Sequence, residues 1–137
     1  MCLIIPELNR KVADKDIVCY KILHKPKGYK TLHAIFQGTM FNIGKRYKTP
    51  DDGYPVYETG CCAFKYGNKF YIEKGCFHSF KTIQGARGYL KKADFYKPEY
   101  PIVKCLIPTG SEYFCGKFDD YYQSYASREI ELVEVVK

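Results

Sequence analysis

Only one stretch of this sequence repeats with a helical period. Ile83, Ala86, Leu90 and Ala93 fall at i, i+3, i+7 and i+10 and line one side of a helix over about residues 82–93, with Thr82 as its N-cap. Gly85 and Gly88 each weaken that helix by about 1 kcal/mol against Ala. Small residues there also let a helix sit close against a sheet. Nearly everything else reads as short strands broken by Gly and Pro. The fold class that follows is α+β, a mainly antiparallel β-sheet with one principal helix.

Residues 16–23 are rich in β-branched and apolar side chains with no polar face, the signature of a largely buried strand. Further strands fall at 31–36, 40–47 (with Gly44 as a bulge), 76–80, 102–107, 112–115 and 130–135. Residues 61–66 and 70–72 flank Gly67-Asn68 as a hairpin. Turns fall at 25–28 and 108–111, and loops at 49–55 and 96–101. Residues 119–127 are polar and aromatic without a clear period. At 137 residues with no internal linker or repeat, the chain is a single domain, residues 1–137. The longest apolar run, Leu3-Ile4-Ile5, is far short of the ~20 residues of a membrane-spanning helix. The opening residues do not form a signal peptide, so the expected location is cytoplasmic and no membrane partner is expected.

The chain carries a net charge of +7, and the charge is uneven. Residues 1–50 hold ten Lys/Arg against three acids, residues 51–100 eight against six, and residues 101–137 four against six. A positive face of this kind attracts phosphates and other anions. The chain has 14 Tyr, 9 Phe and no Trp, and several Tyr are interleaved with cations: Lys27-Gly28-Tyr29-Lys30, Lys45-Arg46-Tyr47-Lys48 and Lys65-Tyr66. Cations for phosphate and rings for bases are what a nucleotide or single-stranded nucleic-acid surface combines. The same residues also decorate any solvated strand face.

Seven Cys at irregular spacing, with no C-x-x-C, point to reduced thiols rather than to a disulfide framework or a metal centre. Cys19 and Cys105 lie in apolar runs and read as buried. The adjacent Cys61-Cys62 would point to opposite faces of a strand. Cys76 and His78 are two apart, share a strand face, and form the one close thiol–imidazole pair. A core Cys beside a structural His is the commoner reading of that spacing. His24 and His33 show no partner pattern.

The richest spot is the strand end before the helix. Backbone N–H groups there, with His78, Ser79, Thr82, Lys81 and Arg87, would form an anion site. Capping of the helix by Ser79 and Thr82 explains part of the same pattern. Asp119, Asp120, Glu129 and Glu131 form an acidic C-terminal group, readable as paired carboxylates or as a solvated edge. The run 121–125 would either stack on a ligand or lean on the sheet.

The segment Lys74-Gly75-Cys76-Phe77-His78-Ser79-Phe80, the helix, and then Ile107-Pro108-Thr109-Gly110-Ser111-Glu112-Tyr113 resemble small uncharacterised proteins of bacteriophages and gut bacteria, over roughly residues 40–137. The order of motifs also weakly resembles the ADP-ribosyltransferase fold. That second resemblance implies His24 or Tyr20 on a first strand, His78-Ser79-Phe80 at a second motif, and Glu129-Ile130-Glu131 opening the last strand. It further implies NAD as cofactor, with His78, Ser79 and Glu131 as the catalytic set. Ser79 stands without a following Thr-Ser, and the first strand has no Arg.

The preferred functional expectation is a small non-enzymatic binding protein. Its target is phosphate-rich: a nucleotide, a nucleic acid or a host nucleoprotein complex. The ligand residues would be Lys45, Arg46, Tyr47, His78, Ser79, Lys81 and Arg87, without cofactor or metal. The phage resemblance implies an accessory or anti-defence inhibitor. The alternatives are an NAD-using ADP-ribosyltransferase-like enzyme and a structural subunit that binds other proteins.

Overall fold

The computed structural model describes residues 3–5, 10–34, 40–49, 56–58, 70–72, 76–93, 99–118 and 121–136. Among the described residues every strand pairing is antiparallel, and a single helix packs on the sheet. The strands are β1 (Leu3–Ile5), β2 (Lys11–Val12), β3 (Ile17–His24), β4 (Leu32–Ala34), β5 (Met40–Phe41), β6 (Arg46–Lys48), β7 (Val56–Glu58), β8 (Phe70–Ile72), β9 (Phe77–Phe80), β10 (Ile102–Ile107), β11 (Glu112–Phe118), β12 (Tyr122–Ser127) and β13 (Glu129–Val136). Their order is β6-β13-β10-β3-β9-β12-β11-β1-β8-β7, with β2 on β11 and β4–β5 branching from β3. No helix among the described residues is long and apolar enough to cross a membrane.

Strand alternation divides the apolar residues between two cores. On the inner face, Ile17, Cys19 and Leu23 of β3 meet Val103, Cys105 and Ile107 of β10, Ile130 and Leu132 of β13, Phe41 and Tyr125. On the outer face, Ile22, Phe80, Ile102 and Tyr122 receive Ala86 and Leu90 of the helix α1 (Ile83–Lys92). The central strands are therefore covered on both sides, which is why residues 16–23 show no polar face.

The helix matches its sequence signature. Thr82 caps it, its hydroxyl accepting from the Gly85 N–H at 3.0 Å. A Cβ on Gly88 would lie 3.3 Å from Cε1 of buried Tyr122, so this glycine permits the close approach of helix to sheet. Two turns follow one design: Tyr29 N–H donates to Pro26 C=O at 3.1 Å, and Ser111 N–H to Pro108 C=O at 3.0 Å. In each, the third residue is a glycine, Gly28 or Gly110, at φ +87°, a conformation that side chains disfavour.

Two sequence readings are corrected. Residues 40–47 are not one strand with a bulge: β5 and β6 are separate, and Gly44, at φ +83°, lies in the turn between them. Its N–H donates to Leu132 C=O at 2.7 Å, so the turn docks on β13. Residues 122–127, without a visible period, form β12. It is buried on both faces, and the hydroxyls of Ser124 and Ser127 are absorbed by the carbonyls of Tyr122 and Glu129 at 3.0 Å each. In the loop at 96–101, residues 99–101 continue the ladder along β3, through Leu23 N–H to Pro101 C=O at 3.0 Å and Lys25 N–H to Glu99 C=O at 2.7 Å. The Cys61–Tyr66 arm of the hairpin lies outside the described residues, while Phe70–Ile72 pairs with β7 and β1.

The β10–β11 and β12–β13 corners are tied together. Arg128 N–H donates to Glu112 C=O at 3.0 Å, and its Nε lies 3.2 Å from Glu112 Oε2. Arg10 adds a second, longer ion pair to that carboxylate at 3.7 Å. Asp16 Oδ1 accepts from both the N–H and the hydroxyl of Thr109 at 2.9 Å, which holds its carboxyl below the usual range.

Candidate functional site

The edge of β3 that faces away from β10 is shared by two strands. Tyr20 pairs with Phe80 of β9, and Leu23 and His24 pair with Ala34 and His33 of β4. The sheet forks between these pairs. Lys21 points from β3 into the inner core here and donates from Nζ to the His78 carbonyl at 2.6 Å, with Nζ 5.8 Å from the centre of the Phe41 ring. Burial pulls the Lys21 amine below the ordinary lysine value, opposed by the nearby thiols of Cys105, Cys19 and Cys76. Burial in turn pushes those thiols up, Cys19 to about 11 and Cys76 and Cys105 to about 12.

This environment decides the thiol question. Cys76 Sγ does lie 3.5 Å from His78 Nε2, as their spacing allows. A thiol held at about 12, however, stays protonated at neutral pH, and the thiolate is the nucleophile. Among the described residues, no three of His, Cys, Asp or Glu gather as metal ligands; Cys61 and Cys62 lie outside those residues.

The anion site read before the helix loses Ser79. Ser79 is 2% exposed, and its hydroxyl has no hydrogen-bond partner of good geometry, although it lies near enough to Cys19 to ease that thiol slightly downward. Ser79 therefore faces the core, and the cap is Thr82. Lys81 and Arg87 are exposed, and the Lys81 N–H is taken by Gln123 C=O at 2.9 Å.

The Lys45-Arg46-Tyr47 group sits elsewhere, on and before the edge strand β6, with β13, β10 and β3 between it and β9. Arg46 Nη2 is 4.0 Å from Glu131 Oε2, and Lys48 lies opposite Glu129. Tyr47 packs edge-on against Phe41 at 5.0 Å, and its hydroxyl accepts from Asn42 N–H at 2.7 Å, so this ring is committed inward. Glu131 alternates with inward Ile130 and Leu132, placing its carboxylate on the sheet face opposite Ser79. The set His78, Ser79 and Glu131 is not brought together. Of the run 121–125, Tyr122 and Tyr125 are buried, while Tyr121 is 75% exposed. Asp119 and Asp120 lie outside the described residues.

A constellation that periodicity alone does not reveal lies at the open end of β3. The register sets His24 directly opposite His33 of β4. On its other side, the ladder through Pro101 and Glu99 sets His24 opposite Tyr100, and the two rings stack at 5.0 Å and 23°. The Gly28 turn brings Tyr29 back edge-on to His33 at 5.8 Å, and Thr31 Oγ1 steadies His33 Nε2 at 3.1 Å. Tyr29, His33, His24 and Tyr100 thus make a row of four rings about 15 Å long, given the ~4.8 Å spacing of neighbouring strands.

Lys25, Lys27 and Lys30, in the strand end and turn that join His24 to Thr31, are exposed, and Glu99 lies across the ladder from Lys25. Tyr100 packs against the outer core that holds Leu90, so row and helix share one side of the sheet. The helix carries no acid, and Arg87, Lys91 and Lys92 are exposed on it. The sequence signal that could have found this site is Lys27-Gly28-Tyr29-Lys30; the two histidines needed the register. No family model, curated protein or solved structure matches the chain.

Proposed function

We propose that this chain is a non-catalytic binding protein for a phosphate-rich ligand, a nucleotide or nucleic acid, free or within a nucleoprotein complex. One observation carries the reading: a row of partly exposed rings, with the exposed Lys25, Lys27 and Lys30 in the turn that links two of its members, on the same side of the sheet as an acid-free helix. Rings and cations so placed meet the two chemical surfaces of a nucleotide, its base and its phosphate. Of the residues behind the alternative NAD reading, Ser79 and Glu131 lie on opposite faces of the sheet, and Glu131 is engaged by Arg46, which favours binding over catalysis.

The test is titration of labelled oligonucleotide and of inorganic polyphosphate, followed by anisotropy. Affinity should fall steeply between about 50 and 200 mM salt, as counterion release requires. Replacing Lys25, Lys27 and Lys30 together by Glu should remove most of the binding. Salt-independent absence of binding to every polyanion would reject the reading.

A further inference from the structure

We infer that the ligand of the ring row is a single strand of nucleic acid, recognised by stacking of unpaired bases on Tyr29 and its neighbours. This rests on the proposed binding function and narrows it to one substrate class.

The first ground is the posture of Tyr29. Of the two Lys/Tyr motifs that resemble each other in sequence, one folds its ring inward: Tyr47 is packed on Phe41, and its hydroxyl is occupied by the Asn42 N–H. The other turns its ring out: Tyr29 is 60% exposed, and it meets the row in a T-shaped contact with His33. A ring held at the end of a turn, between Lys27 and Lys30 in sequence, contributes little to the core. A ring this exposed is available to a flat partner.

The second ground is the continuity of the row. A single ring suits a mononucleotide, whereas an exposed ring set near a stacked His24–Tyr100 pair offers more than one place for the successive bases of one strand. In a duplex the base faces are hidden within the stack, so a ring platform gains nothing from them. An unpaired strand offers every base face, and stacking tolerates all sequences. The lysines of the linking turn would follow the backbone, which sets affinity without sequence preference.

The experiment compares a fluorescein-labelled single strand of about 15 nucleotides and mixed sequence with the matching duplex, each titrated with the full-length protein. Wild type should prefer the single strand. Tyr29→Ala should weaken single-strand binding roughly tenfold and leave duplex binding within about twofold. Tyr29→Phe, which keeps the ring, should retain wild-type affinity. Because Tyr29 is largely exposed, circular dichroism of the variants should be unchanged. Equal affinity for strand and duplex, or an unaffected Tyr29→Ala variant, overturns this inference while salt-sensitive polyanion binding keeps the broader function intact. Loss of all polyanion binding in the wild type removes both.

Discussion

Removing the Lys21 ammonium would leave the His78 carbonyl without its donor at the place where β9 and β4 part company on β3. Among the described residues, the charge is held by a carbonyl dipole and the face of Phe41. Lys21→Ala should destabilise the fold by about 1–2 kcal/mol, combining the lost hydrogen bond to the His78 carbonyl with lost stem packing. Lys21→Met, which keeps the stem, should lose less. Urea unfolding with an unchanged m-value would measure this, and wild-type stability in Lys21→Ala would show that the fork holds without its pin. Ser79 illustrates the opposite case: a serine before a helix reads as a cap, yet strand alternation turns it inward beside Cys19. Local sequence cannot decide between these roles, because the deciding fact is which face of β9 meets β3.

The helix was legible almost to the residue, since its apolar period, its capping threonine and its glycines all agree. Gly88 shows what the sequence leaves unstated. On propensity alone Gly88→Ala should stabilise an exposed helix by about 1 kcal/mol. Here the new methyl would press on Tyr122, which is hemmed in by Phe80 at 6.1 Å, Tyr89 at 5.9 Å and Tyr121 at 4.9 Å. Gly88→Ala should therefore give no gain in thermal midpoint; a rise of several degrees would mean that the Tyr122 ring yields freely. Strands buried on one face or bounded by turns were equally legible, β3 and β10 above all. β12 was not, because burial on both faces erases alternation, and its serines look like loop residues until their hydroxyls are seen bonded to nearby carbonyls. The ring row escaped notice for a related reason: His24, His33 and Tyr100 are far apart in the chain and meet only through register.

Taken over the whole molecule, the buried thiols set an alkaline limit. Cys19, Cys76 and Cys105 keep their protons in the folded chain up to about 11, 12 and 12, whereas unfolded thiols lose theirs near 9.0. The stability they contribute is complete below pH 9 and drains as pH rises toward those folded values. Lys21, whose amine is shifted down, works in the opposite direction and offsets part of the loss. Three thiols outweigh one amine, so stability should drop by on the order of 2 kcal/mol between pH 8 and 10. Urea midpoints at the two pH values measure this, and a flat profile would mean that the thiols reach water.

The partners of the central strand also fix when the molecule can come into being. Ile22 of β3 lies against Ile102 of β10, and Tyr20 against Phe80 of β9, whereas β4 is the one nearby partner. At ribosomal speeds of roughly 5–20 residues per second, β3 emerges on the order of 4–16 s before the strand that completes it. Through that interval its apolar side chains lack their native cover, so a nascent chain of this design depends on either rapid elongation or a chaperone's shelter.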